Sequence, residues 1–139
     1  MKKIVSYTIL FFIVLLLDCY GQTVIVNSSN SMTKISKSAL RNIFLGNTST
    51  WENSKQIIIT DYIADSPLRK AFSEYYLNLS PKKVSMIWIK ASLSGKTVPP
   101  KVFHTEEELV KYVSENEGAV GYLENPINLS KNIKILQVQ

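Results

Sequence analysis

Cysteine is almost absent. The chain of 139 residues holds one, Cys19, and one histidine, His104. A single thiol cannot close a disulfide within the chain, and one Cys with one His falls short of a structural zinc site. No metal and no cofactor are therefore expected. Glycine and proline are scarce, at five residues each, and there is no internal repeat or low-complexity linker. Each Gly and Pro is thus read as local punctuation. Long apolar runs are also missing. The longest, Ile4 to Leu17, has 14 residues, against the roughly 20 that a membrane-spanning helix needs. It follows Lys2-Lys3 and precedes the small residues Cys19 and Gly21, which is the pattern of a secretory leader. The expected organisation is a signal peptide over 1–21 and one domain over 22–139, exported to the periplasm or cell envelope. Leu16-Leu17-Asp18-Cys19 resembles a lipobox, although Asp18 stands where that motif wants a small residue; a lipid anchor at Cys19 is the alternative.

Charge of one sign is lacking too. Without Lys2, Lys3 and Asp18, 14 basic residues face 10 acidic ones. That mild excess favours anionic ligands without selecting one. The basic residues are scattered and show no aromatic interleaving, which argues against nucleic acid as a partner. No nucleophile and base stand at motif spacing, so no enzyme is expected. His104 reads as a surface residue. Glu106-Glu107-Glu108 reads as a first turn that complements the helix dipole, because consecutive helical residues face different directions.

Elements alternate along the rest of the chain. Thr23–Asn27 and Gln56–Thr60 are β-branched runs and expected strands, as are Ala119–Leu123 and Asn132–Val138. Ser36, Ser66, Ser80 and Thr105 are expected N-caps. Pro67 and Pro81 take first helical positions, and Thr105 with Glu108 makes a capping box. Apolar residues recur at helical spacing after each cap: Leu40, Ile43 and Phe44; Leu68, Ala71, Phe72, Tyr75 and Tyr76; Val84, Ile87, Trp88 and Ile89; Leu109, Val110 and Val113. Gly46 and Gly118 read as helix terminators. Trp51 reads as a loop anchor, and Ala91–Pro100 as a loop. The pattern predicts an α/β domain with a mixed or largely parallel sheet flanked by helices.

One junction points toward chemistry. The strand ending at Thr60 feeds Asp61–Asp65 and then a helix capped by Ser66, with Arg69 in its first turn. A helix start with outward N–H groups and a nearby cation is a site for phosphate and other oxyanions. An ordinary capped helix explains the same residues. Ser66 and Arg69 are the candidate anion-binding pair.

Several phrases also stand in a telling order. They are Leu40-Arg41-Asn42-Ile43-Phe44-Leu45-Gly46, Trp51, the Ser66–Phe72 helix start, Trp88, Ser94-Gly95, Pro99-Pro100 and Gly118-Ala119-Val120-Gly121-Tyr122. Over about Ser36 to Tyr122 the chain resembles the phosphate-binding proteins of bacterial phosphate ABC transporters, a type II periplasmic binding protein fold. The resemblance implies one lobe of that fold and a non-enzymatic solute-binding domain. It also implies that Ser66 occupies the place of a phosphate-contacting serine. Pro67 and Leu68 depart from the Gly and Thr usual there, removing an N–H and a hydroxyl. The expected mature chain of 118 residues is about half the length of a two-lobed protein.

A lone half-site has limited strength. The helix end adds about 0.3–1 kcal/mol when exposed, up to about 2 when partly buried. A charge-assisted bond from Arg69 adds about 1.5–3 kcal/mol. The total is near the ~4 kcal/mol of millimolar binding. Two functions follow. One is weak capture of phosphate or a similar small anion. The other is a lobe without ligand that serves as an interaction or sensing subunit, through an envelope protein partner or a homodimer.

Overall fold

The computed structural model describes residues 21–139. The expected leader lies outside the described residues except for Gly21. Among the described residues, no helix is long and apolar enough to cross a membrane.

Strand β1 (Thr23–Asn27) opens the domain, followed by the two-residue strand β2 (Lys34–Ile35) and helix α1 (Lys37–Phe44). Then come β3 (Ile58–Tyr62), α2 (Pro67–Phe72) with a π-helical continuation over Ser73–Leu77, and α3 (Pro81–Leu93). Last are β4 (Lys101–Phe103), α4 (Glu106–Glu115), β5 (Ala119–Leu123), β6 (Ile133–Ile135) and β7 (Gln137–Val138). The main sheet has the order β4-β3-β5-β1-β6. β3 runs parallel to β4 and β5, whereas β1 runs antiparallel to β5 and β6. β2 and β7 form a separate parallel pair. The expected mixed α/β sheet flanked by helices is therefore what the chain forms.

Every residue of β5 is buried, which requires cover on both faces. On one face Tyr122 stacks on Phe72, with ring centroids 3.8 Å apart and planes 7° from parallel. Phe44 packs edge-on against the same Tyr122 ring, and Trp88 of α3 donates its indole N–H to the Phe44 carbonyl at 3.0 Å. Thus α1, α2 and α3 form one layer. On the other face α4 lies so close that a Cβ on Gly121 would stand 2.6 Å from a Leu109 methyl. The missing side chain permits the helix to seat.

The four caps form as their sequences dictate. Ser36, Ser66 and Ser80 each accept a backbone N–H through the hydroxyl three residues upstream of the donor, and Thr105 and Glu108 complete a reciprocal box. α1 ends at Leu45 with Gly46 at φ +76°, and Asn47 N–H reaches the Asn42 carbonyl at 2.8 Å. This satisfies carbonyls that the last turn leaves open.

Other boundaries differ from expectation. The strand expected over Gln56–Thr60 is shifted to Ile58–Tyr62, because Gln56 bridges to Thr50 and Ile57 N–H bonds Ser49. Asp61 and Tyr62, read as turn, belong to the strand. The segment Asn132–Val138 divides between two sheets at the buried Leu136, whose N–H bonds the Val24 carbonyl at 2.9 Å. α3 extends to Leu93, so the expected loop begins later, and β4 follows it. The π-helical turn widens the spacing after Phe72. It turns Ser73 and Leu77 inward and leaves Tyr75 exposed at 43%.

Gly118 does not terminate a helix; α4 is capped by Asn116. Its carbonyl accepts the Trp51 indole N–H at 2.9 Å and the Ile58 N–H at 3.0 Å. A Cβ there would lie 2.2 Å from the Gln56 carbonyl oxygen, which is backbone and cannot swing away. Gly118→Ala should therefore destabilise the domain by about 1–3 kcal/mol, the range of overpacking. A urea denaturation midpoint lowered at unchanged slope is the expected result.

Candidate functional site

The junction after β3 is compact. Ile63 accepts the Ser66 N–H at 3.0 Å, closing the turn. Ser66 stands at the start of α2, half-buried; its hydroxyl accepts the Arg69 N–H at 3.3 Å and its carbonyl accepts the Lys70 N–H at 3.1 Å. Pro67 brings no donor to this end. Asp65, just before Ser66, is exposed, and Ser66 is the cap.

Arg69 lies elsewhere than expected. Its side chain turns beneath the helix and is 8% exposed. Nε faces Asp61 Oδ2 at 3.3 Å, an ion pair without a well-aligned hydrogen bond. One terminal nitrogen donates to the Tyr62 carbonyl at 3.1 Å, and the other donates to Ser85 Oγ of α3 at 2.8 Å. The guanidinium thus joins β3, α2 and α3 from inside. The candidate pair shares one turn of helix, but only its serine faces the surface.

Asp61 is the centre of this cluster. Its Oδ1 accepts the Tyr122 hydroxyl at 2.5 Å and the Tyr62 N–H at 2.8 Å. Tyr62 in turn donates its hydroxyl to the Tyr122 carbonyl at 2.8 Å. Burial pushes the Asp61 carboxyl above its usual range, opposed by Arg69 and by the two donors. Burial also raises both phenols. The Asp61 charge adds to the shift of Tyr122, and the Glu106 charge to that of Tyr62. Both phenols therefore stay protonated and keep donating.

The remaining candidates disperse. His104 is exposed, and its backbone N–H donates to Glu108 Oε2 at 3.0 Å. Trp51 and Trp88 are core residues bonded to backbone carbonyls. Two surface grooves, one along α3 and one between Phe103 and Tyr112, are lined by neither Ser66 nor Arg69. The residue that sequence reasoning missed is Asp61. The signal was Thr60-Asp61-Tyr62, which continues a β-rich run and leaves a carboxylate inside it.

Structural comparison gives this arrangement its setting. An ABC-type phosphate transport receptor from Vibrio cholerae superposes with a TM-score of 0.66 at 19% identity, over 85% of this chain and 46% of its own. A putative phosphate ABC transporter substrate-binding protein from Clostridium perfringens, with bound phosphate, gives 0.69 at 17%, over 85% and 44%. A possible phosphate-binding protein from Planctomyces limnophilus gives 0.60 at 18%, over 86% and 41%. No family model matches the chain, and no curated protein matches it in sequence. The chain has the fold of these binding proteins and spans less than half their length, as a single lobe would.

Removing Arg69 should act on stability first. Arg69→Ala leaves the Asp61 carboxylate buried without its cation, which costs about 3–5 kcal/mol. The sign of the pH effect follows from the direction at Asp61. A carboxyl whose folded value lies above its unfolded value of 3.8 is bound to its proton more tightly in the folded state. That contribution is full below the unfolded value and is lost as pH rises through the folded one. With Arg69 gone, the folded value rises further. The deficit of Arg69→Ala should therefore shrink as pH falls toward 4 and grow toward neutrality, as read by denaturation at each pH.

Proposed function

We propose that this chain is an exported single-lobe domain of the solute-binding fold that does not capture phosphate tightly and serves as an interaction or sensing subunit of the cell envelope. The observation that carries this reading is the inward position of Arg69, paired with Asp61 at 3.3 Å. Without that cation the half-buried helix end offers an anion about 0.3–2 kcal/mol, below the ~4 kcal/mol of millimolar binding. Pro67 lowers the donor count further. A domain of this fold whose anion site is internally occupied keeps its surfaces, and these are what it offers to other envelope components.

The second reading is weak binding of phosphate or a related oxyanion at Ser66. Its support is the half-exposed helix start and the bound phosphate in the Clostridium perfringens neighbour. It leaves transport as the wider role, with the opposite wall of the site supplied by another chain or a second copy.

Calorimetric titration with inorganic phosphate separates the two. No saturable heat is expected at millimolar phosphate. Pull-down from envelope extracts should recover the same partner with and without phosphate. Saturable binding that Ser66→Ala abolishes in a still-folded protein would instead establish the second reading.

A further inference from the structure

Helix α3 has a second side that packing leaves unused. Val84 and Trp88 occupy its buried side. Its freely exposed residues are Lys82, Lys83, Met86, Ile89, Lys90 and Leu93. Three are lysines, three are apolar and none is acidic. At helical spacing they fall within an arc of roughly 120°. Met86, Ile89 and Leu93 are 59%, 60% and 84% exposed. Lys96 and the 67%-exposed Val98 continue the same composition into the following loop. Scattered exposed apolar residues need no explanation, but several protruding from one arc do. Glu74, beside Lys83 and Asn78, is the acidic residue at the margin of this face.

We propose that the outer face of α3 docks on an anionic phospholipid bilayer. Its composition is that of an interfacial helix, with apolar side chains reaching the acyl boundary and lysines meeting the headgroup phosphates. Lysine stems lie along apolar surface while their ammonium groups stay among the phosphates. Residues of both kinds alternate along one exposed helix face, and a bilayer satisfies both at once. A second copy is a poor occupant, because twofold pairing of α3 on α3 sets lysines against lysines. The inference is independent of Ser66 and Arg69, and it stands or falls separately from phosphate binding.

Co-sedimentation of the full-length chain with vesicles tests it. The vesicles are phosphatidylcholine alone, or phosphatidylcholine with one third phosphatidylglycerol. Residues 1–21 are the same in every variant, so whatever they add cancels in the comparison. Wild type should partition at least about tenfold more strongly onto the phosphatidylglycerol vesicles. Each lysine near such a surface contributes roughly fivefold, so Lys82→Glu with Lys83→Glu and Lys90→Glu should remove that preference. Raising salt to about 1 M, where the screening length is roughly 3 Å, should weaken the wild type likewise. Ile89→Ser with Leu93→Ser, a milder surface change, should lower partitioning onto anionic vesicles several-fold at unchanged far-ultraviolet circular dichroism. The proposal is overturned if wild type is indifferent to phosphatidylglycerol, or if the triple lysine variant partitions as wild type does. It is equally overturned if the chain binds polyglutamate but neither vesicle, which would assign the face to an acidic protein.

Discussion

A pair of charges withdrawn from water governs this domain. Asp61 and Arg69 have 9% of each side chain exposed, and neither can be released without stranding the other. Swinging Arg69 outward to meet a ligand would leave the carboxylate buried and short of a cation, at about 3–5 kcal/mol. The new charge-assisted bond would return about 1.5–3 kcal/mol. The balance keeps Arg69 inside. It also ties the end of β3 to the body of α3 through Ser85, and to β5 through the Tyr122 hydroxyl. The stack of Tyr122 on Phe72 then fixes α2 over the sheet. The Asp61–Arg69 pair thus serves as an internal clamp, and the arginine charge is balanced by Asp61 inside the fold rather than presented at the surface.

Local chemistry was legible in the sequence, and long-range pairing was not. Ser36, Ser66, Ser80 and Thr105 each announce a helix within three residues, and all four caps form. Gly46 is legible for the same reason. The fate of Arg69 depends instead on Asp61, eight positions away, and on Ser85 in another helix. Nothing in helical spacing tells whether a first-turn cation points out or under. Strands β2 and β4 are two and three residues long and mostly exposed, so they carry no apolar alternation. They exist because β7 and β3 lie alongside them. Gly118 was visible as a glycine, but its reason lies 62 positions back in the Gln56 carbonyl.

The two helical layers differ in charge as well as position. On the Tyr122 side of the sheet, α3 carries Lys82, Lys83 and Lys90 with no acid. On the Gly121 side, α4 carries Glu106, Glu107, Glu108 and Glu115 against Lys111 alone. Three of these acids have structural partners: Glu108 closes the capping box, Glu106 accepts the Glu124 N–H, and Glu115 pairs with Lys111 one turn back. The acidic layer therefore has an explanation within the fold. On α3, by contrast, none of Lys82, Lys83 and Lys90 forms an ion pair among the described residues, and Met86, Ile89 and Leu93 beside them are exposed. Because α3 and α4 lie on opposite sides of the sheet and carry opposite net charge, together they set up a dipole across it. Near a negatively charged surface, such a field turns the α3 side toward it before contact is made. Orientation of this kind needs no pocket and no second lobe.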